Sequence, residues 1–117
     1  MWNVITTECF DECFDEWFDT QSEDLQDEIL SVLQLLKEVG PNLGRPYVDT
    51  LKGSKYPNMK ELRVQFAGEP IRAFFAFDPN RMAIVLCAGN KAGQNEKRFY
   101  KDMINLADSE YSKHIRK

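Results

Sequence analysis

Two arginines on neighbouring predicted strands are the residues of this sequence best placed to act on a phosphate group. Residues 60–66 alternate polar and apolar side chains, and residues 71–77 form a second strand rich in aromatic side chains. A turn over residues 67–70 is predicted to pair Phe66 with Ile71. Because cross-strand partners point to the same side of a sheet, one face of this hairpin carries Arg63, Gln65, Arg72 and Phe74.

Further lysines and arginines flank this hairpin in the sequence. The bases before it are Lys52, Lys55 and Lys60, and those after it are Lys91, Lys97, Arg98 and Lys101. A basic cluster beside an exposed aromatic ring can bind phosphates and stack bases, so the pattern favours a nucleic-acid-binding surface with Phe74 as the stacking ring. Two plainer interpretations stay open. A strand arginine often only decorates a solvated face, and opposite charges can pair across the fold.

The elements that must position these residues follow from hydrophobic periodicity and turn residues. In chain order they are a strand over Trp2–Thr6, helices over Glu8–Asp19 and Glu23–Val39, a loop over residues 40–58, strands over residues 60–66, Ile71–Phe77 and Met82–Ala88, and a helix over Glu96–Ile115. The order β-α-α-β-β-β-α predicts an α+β fold, in which three strands form an antiparallel meander and the first strand joins the edge of the sheet. We expect the helices to cover one sheet face and to leave the arginine-bearing face open.

The first predicted helix carries the only cysteine pair with a spacing suited to metal binding. Cys9 and Cys13 lie four residues apart, but no third and fourth ligand are nearby in the sequence. We therefore expect both to be core residues. The sequence predicts no metal site and no cofactor.

Length and composition predict one domain over residues 1–117. With 117 residues and 43% hydrophobic side chains the chain can form its own core. We expect no membrane span and no secretory leader, since no apolar run is long enough for either. Three cysteines are too few for a disulfide scaffold and fit a reducing compartment, so a cytoplasmic location without a membrane partner is predicted.

The net charge of −4 is unevenly distributed along the chain. Residues 1–38 contain one base and eleven acids, a net charge of −10, whereas residues 39–117 contain fourteen bases and eight acids, a net charge of +6. This asymmetry indicates a basic working face on a nominally acidic protein. We expect the acidic helical hairpin, including Asp11, Asp15 and Asp19, to lie away from the Arg63–Arg72 surface.

Several ordered blocks of the sequence resemble one protein family. They are GPNLGRP at 40–46, LKGS at 51–54, MKELR at 59–63, RAFFAFDP at 72–79 and KRFY at 97–100. Over nearly the whole chain they are similar to the phage-derived Gp49-like, HigB-type toxins of the RelE/ParE superfamily. The resemblance implies the RelE-like β-α-α-β-β-β-α fold. It also implies a toxin of a type II toxin–antitoxin system that cleaves mRNA on the ribosome and is neutralised by a helix-turn-helix, HigA-like antitoxin.

The resemblance also implies roles for individual residues. Arg72 is similar to the arginine that contacts the scissile phosphate, and Tyr100 to a tyrosine near the start of the terminal helix. Lys60 and Arg63 resemble the basic pair on the preceding strand. The basic residue after the last strand matches either Lys91 or Arg98. Some HigB toxins use histidines, but for His114, the single histidine of this chain, no catalytic role is expected.

RNA cleavage of this kind needs no metal, because the RNA supplies its own 2′-OH nucleophile. A tyrosine or lysine with a lowered pKa can act as the base, and Arg63 and Arg72 can stabilise charge on the nonbridging oxygens. The expected products are a 2′,3′-cyclic phosphate and a 5′-OH. Two other functions stay open: a non-enzymatic, ParE-like inhibitor of DNA gyrase, and an inactive phage-derived partner of a helix-turn-helix regulator.

Overall fold

The protein consists of a five-stranded mixed sheet with helices on both faces. A computed structural model describes residues 2–6 and 14–116. The elements are β1 (Asn3–Thr6), α1 (Phe14–Asp19), α2 (Glu23–Val39), a 3-10 turn (Gly40–Asn42), β2 (Val48–Thr50), β3 (Met59–Phe66), β4 (Glu69–Asp78), β5 (Met82–Asn90) and α3 (Glu96–Ile115). The predicted α+β class is confirmed, and the bounds of α2 and α3 match the prediction.

The strand order is β1-β5-β4-β3-β2. Strands β3, β4 and β5 form the predicted antiparallel meander. Strand β1 lies at the predicted edge, where it pairs with β5 in parallel. The short edge strand β2 was not predicted. It lies inside the predicted loop over residues 40–58 and pairs antiparallel with β3, so this loop is partly held in the sheet.

The turn between β3 and β4 is tighter than predicted. Ala67 and Gly68 have φ angles of 50° and 80°, as in a two-residue type I′ turn, and Phe66 pairs with Glu69. The predicted pairing of Phe66 with Ile71 is therefore wrong by two residues. An even shift leaves every side chain on its predicted face, and it makes Arg63 and Arg72 direct partners.

The helical hairpin packs on one face of the sheet. Ser22 caps the start of α2 by accepting a hydrogen bond from the Leu25 backbone N–H at 3.2 Å, and Gly40, with a φ of 70°, caps its end. The buried residues on this face include Phe14, Leu25, Ile29, Val32, Leu36, Leu62, Val64, Ile71, Ala73 and Phe75. Of the predicted first helix, Phe14–Asp19 is confirmed, while Cys9 and Cys13 lie outside the described residues.

Helix α3 covers the opposite face of the sheet. Its residues Phe99, Ile104, Ala107 and Tyr111 pack against Met59, Phe74, Ala76, Ile84 and Leu86. The expectation that all helices lie on one face is wrong for this reason. The run Ala73–Phe77 contains apolar side chains on both sides of the strand, a pattern typical of strands buried on both faces.

A loop between β2 and β3 is fastened to α3 by a buried carboxylate. Asp108 accepts a hydrogen bond from the Ser54 hydroxyl at 2.5 Å and one from the Lys55 backbone N–H at 2.9 Å. The hydroxyl groups of Tyr56 and Ser112 also bond to each other. These contacts fix the loop that carries Lys52 and Lys55 to the C-terminal half of α3.

The acidic hairpin and the arginine pair lie on opposite faces of the sheet. Asp15 and Asp19 belong to α1, which packs through Phe14 on the hairpin face, whereas Arg72 shares the α3 face with Phe74. The predicted orientation of the hairpin is confirmed for these two acids, and Asp11 lies outside the described part of the chain. Among the residues described, no helix is both long and apolar enough to cross a membrane.

Candidate functional site

The β3–β4 hairpin and the start of α3 bring four chemically active side chains together. Alternation along β3 places Glu61 and Arg63 on the α3 face, and Arg72 lies opposite Arg63 on β4. Asn95 caps α3 by accepting a hydrogen bond from the Arg98 backbone N–H at 3.0 Å. The helix then places Tyr100 edge-on against Phe74, with ring centroids 6.0 Å apart.

The carboxylate of Glu61 is the centre of this group. Its Oε1 atom accepts a hydrogen bond from the Tyr100 hydroxyl at 3.1 Å and lies 3.5 Å from Nε of Arg72 and 3.7 Å from Nε of Arg63. The side chain of Glu61 is 8% exposed. All three contacts converge on Oε1, so Oε2 is left available for another proton or ligand.

Burial raises the pKa of Glu61 above its ordinary value of 4.5. Loss of water around the carboxylate is the largest effect, and the Tyr100 hydrogen bond and the two arginine charges oppose it. A carboxylate with a raised pKa is a stronger base than an exposed carboxylate, which suits a group that takes part in proton transfer. Glu61 was not among the predicted site residues, although its spacing of two from Arg63 puts both on one face.

Arg72 is much less accessible than expected. Its side chain is 4% exposed, compared with 35% for Arg63. Its Nη1 atom donates to the backbone carbonyl of Ile71 at 3.0 Å, and its buried Nε atom has no hydrogen-bond partner. The two arginines therefore differ in environment. The Arg63 side chain is partly exposed to solvent, whereas the Arg72 side chain is buried beside Glu61.

Phe74 does not present its ring to solvent. It is fully buried beneath Phe99 and Tyr100. The prediction that this ring lies on an uncovered surface and stacks on a base is wrong, because α3 occupies the face that was expected to be open. Its ring supports Tyr100 instead.

Lys60 lies on the other face of the sheet from Arg63, Arg72 and Tyr100. It pairs with Phe75, and its Nζ atom donates to the Thr50 hydroxyl at 3.4 Å. The structure therefore does not bring Lys60 together with the other three predicted catalytic residues. Strand alternation alone separates positions 60 and 63.

Of the two candidates after the last strand, Lys91 is the one beside the site. Its side chain is 17% exposed, its Nζ atom lies 5.4 Å from the centroid of the Tyr100 ring, and it donates to Glu96 at 2.7 Å. Arg98 is 83% exposed and lies 3.8 Å from Asp102. The geometry thus associates Lys91 with Tyr100.

The remaining predicted RNA-binding lysines fall into two groups. Lys97 and Lys101 are exposed on the first turns of α3, near Tyr100. Lys52 and Lys55 lie in the loop held by Asp108. Asp108 is eight residues beyond Tyr100 on α3 and so about 12 Å from it along the helix axis. Lys52 and Lys55 therefore form a group separate from the lysines beside Tyr100.

The described residues contain no group of three or more His, Cys, Asp or Glu side chains arranged to hold a metal ion. His114 lies away from Glu61, where its ring stacks on Tyr111 and its Nε2 atom is 3.8 Å from Asp78. It contacts none of the four side chains at the site.

Fold and site together define an α+β protein compatible with a RelE-like fold, with a basic site around one buried glutamate. Residues 16–112 match the family described as phage derived protein Gp49-like. The chain belongs to this Gp49-like family, and the resemblance drawn from the sequence blocks is confirmed.

Two curated relatives come from Mycobacterium tuberculosis. "Putative toxin HigB2" is 46% identical over 88 residues, which are 74% of this chain and 43% of that protein. "Putative toxin HigB3" is 48% identical over 87 residues, which are 74% of each chain. The chain therefore spans less than half the length of the first relative and about three quarters of the second.

Proposed function

We propose that this protein is the toxin of a type II toxin–antitoxin system and acts as a ribosome-dependent mRNA endonuclease. The family and the names of the two relatives support the toxin assignment. The observation that carries the enzymatic part is the convergence of Tyr100, Arg63 and Arg72 on one oxygen of Glu61. This group combines a proton acceptor, a proton donor and positive charge beside a basic surface.

The proposed reaction uses the 2′-OH of the RNA as nucleophile. Oε2 of Glu61 takes the 2′-OH proton while the 2′ oxygen forms its bond to phosphorus. The bond from phosphorus to the 5′ oxygen breaks, and Tyr100 gives its hydroxyl proton to that leaving oxygen. Glu61 then releases the proton on Oε2 to solvent and Tyr100 takes one from solvent, so both groups return to their starting state. The products are a 2′,3′-cyclic phosphate and a 5′-OH.

Arg63 is the residue proposed to stabilise the developing charge. Its guanidinium is partly exposed beside the Glu61 carboxylate, where it can meet a nonbridging phosphate oxygen. Stabilisation of charge in the transition state is commonly the largest contribution to catalysis. Lys91, Lys97, Arg98 and Lys101 then hold neighbouring phosphates, and Lys52 and Lys55 form a separate basic group.

The proposed partners are the ribosome, mRNA and a HigA-like helix-turn-helix antitoxin, and the proposed location is the cytoplasm. These assignments rest on the family resemblance. The arrangement of charge is compatible with them, because the acidic hairpin lies on the sheet face opposite Glu61 and Arg63. Repulsion between that hairpin and RNA is screened beyond about 8 Å at physiological salt.

Controlled expression in bacteria tests the proposal. The variants are wild type, Glu61→Gln, and Glu28→Gln as a matched control on the exposed surface of α2. We expect growth arrest and new mRNA 5′ ends with wild type and Glu28→Gln but neither with Glu61→Gln. Growth arrest with DNA breaks and no new mRNA ends would instead indicate gyrase inhibition. Soluble wild-type protein without toxicity would indicate an inactive regulator-binding protein.

The chemistry of the cut ends provides a second test. Cleavage of mRNA on programmed ribosomes should give a 2′,3′-cyclic phosphate and a 5′-OH, and a 2′-O-methyl group at the cleaved nucleotide should abolish it. Ends that carry a 5′-phosphate, or cleavage that persists with the 2′-O-methyl substrate, would contradict 2′-OH attack.

A further inference from the structure

Arg72 keeps most of its guanidinium group inside the protein. Its side chain is 4% exposed, and Nη1 is engaged with the Ile71 carbonyl. Its Nε atom is the single buried side-chain polar atom without a hydrogen-bond partner in the part of the chain described, and it lies 3.5 Å from Oε1 of Glu61. The nearest negative group to this buried cation is therefore the Glu61 carboxylate.

Arg63 approaches the same carboxylate from a different environment. It is the direct cross-strand partner of Arg72 and lies 3.7 Å from the same Oε1 atom, but its side chain is 35% exposed. A phosphate that arrives from solvent can contact Arg63 without rearrangement. Arg72 offers such a phosphate far less surface, since its side chain is 4% exposed and its Nε atom lies beside the Glu61 carboxylate to which Tyr100 bonds.

We propose that Arg72 is a positioning residue that holds Glu61 ionised and oriented for proton transfer, and that Arg63, not Arg72, contacts the RNA phosphate. The inference rests on the proposed RNA-cleaving function and assigns different tasks to the two arginines. A buried carboxylate loses the stabilisation it has in water, and the buried Arg72 cation 3.5 Å away compensates for that loss. This assignment differs from the role implied by the family resemblance, direct contact of Arg72 with the scissile phosphate, and the experiments below distinguish the two.

Five other charged or titratable groups affect the Glu61 carboxylate or its immediate neighbours. Arg63 on β3 favours its ionised form, as does the hydrogen bond from Tyr100 on α3, whereas Asp49 on β2 opposes it. Lys91 lies over the Tyr100 ring. Glu96 on α3 pairs with Lys91, and its ionised form is also favoured by the charges of Arg72 and Arg63. Because all of these remain when Arg72 is replaced, a change in the titration of Glu61 reports the loss of the Arg72 charge itself.

The first experiment follows the Glu61 carboxyl directly by ¹³C NMR in the purified protein, with the signal assigned by its absence in Glu61→Gln. We expect Arg72→Gln to raise the pKa of Glu61 by about one unit, and Arg72→Lys to give a smaller rise because it keeps the charge. An unchanged Glu61 titration in Arg72→Gln would overturn the proposal. This measurement needs no enzymatic activity.

The second experiment measures affinity for bacterial ribosomes programmed with a 2′-O-methyl mRNA that cannot be cleaved by 2′-OH attack. We expect Arg63→Gln to weaken binding about tenfold, as loss of a phosphate contact does, and Arg72→Gln to stay within about twofold of wild type. An equal loss of affinity in the two variants would overturn the proposal.

Cleavage of unmodified mRNA on the same ribosomes completes the test. The acidic limb of the pH–rate profile should move to higher pH in Arg72→Gln and return toward wild type in Arg72→Lys. An acidic limb that stays in place in both variants would contradict the positioning role. If wild type cleaves no mRNA under any condition, the proposed function fails, while the NMR titration still decides whether Arg72 controls Glu61.

Arg72→Gln can fail to fold, because it replaces a buried charge. In that case wild-type protein labelled at the arginine side chains answers the question. Addition of the programmed ribosomes or of a single-stranded 2′-O-methyl RNA should shift the Nε–H signal of Arg63 more than that of Arg72. A larger shift of the Arg72 signal would overturn the proposal.

Discussion

Arg63 and Arg72 face each other directly across the β3–β4 pair, and both lie within 3.7 Å of the same oxygen of Glu61. Like charges at opposed positions of a sheet destabilise it, so the carboxylate between them offsets a repulsion that the strand register creates. Glu61, Arg63 and Arg72 therefore form one electrostatic unit. A change in any of the three alters the charge balance of the others.

Tyr100→Phe should slow mRNA cleavage on programmed ribosomes by about 100-fold. The variant keeps the ring that packs edge-on against Phe74 and removes the hydroxyl that bonds to Glu61 and is proposed to protonate the leaving oxygen. Since that hydrogen bond lowers the pKa of Glu61, the acidic limb of the pH–rate profile should also move to higher pH. Tyr47→Phe, at an exposed side chain, is the matched control, and an equal effect in both variants would contradict the assignment.

Folding stability should carry a pH dependence from Glu61 with a defined sign. Its pKa is raised in the folded protein above the ordinary 4.5, so the folded state holds this proton more tightly than the unfolded state. The stabilising contribution is complete below the unfolded pKa and is lost as pH rises through the folded pKa. Urea unfolding of wild type and Glu61→Gln between acidic and neutral pH measures it. The wild-type free energy of unfolding minus that of the variant should fall as pH rises, and a difference that grows would refute the sign.

Asp108→Ala should destabilise the protein by about 2 kcal/mol, because it leaves the Ser54 hydroxyl and the Lys55 backbone N–H without their acceptor. Exchange of the Lys55 amide hydrogen should accelerate as the loop detaches from α3. Asp102→Ala is the control on the same helix. Its carboxylate is 66% exposed and pairs with Arg98 across 3.8 Å, so a change below about 0.5 kcal/mol is expected. Similar losses in both variants would show that the loop is not held by Asp108.

Gly40→Ala should cost more than about 2 kcal/mol of folding free energy. Gly40 has a φ of +70°, and a Cβ atom there would lie against the Trp2 ring, 2.6 Å from Nε1. Gly53→Ala separates the effect of the positive φ from that of the Trp2 contact. Gly53 has a φ of +95°, but no atom lies within 4 Å of the position that its Cβ would take. Denaturant unfolding should show a clearly larger loss at position 40. Equal losses at the two glycines would mean that the Trp2 contact contributes nothing.

The predicted open sheet face shows where sequence patterns were insufficient. Alternation along β3 and β4 correctly grouped Arg63 with Arg72, and this grouping survived a register error of two residues because side chains repeat every second position. The same pattern could not tell which face α3 would cover. The burial of Phe74 and Arg72 follows from that packing, and with it the division of the arginines into an exposed and a buried one.

The sequence by itself determined the order and type of the main elements, the bounds of α2 and α3, and the family, since these depend on local periodicity, capping residues and ordered motifs. It also separated the acidic hairpin from the basic part of the chain. Only the tertiary structure decided which side chains meet. It brought Glu61 and Lys91 to Tyr100, moved Lys60 to the other face, and buried Arg72. Contacts between β3, β4 and α3 join residues far apart in the sequence, such as Glu61 and Tyr100, which are 39 positions apart. Their geometry depends on how the layers pack, which no local pattern encodes.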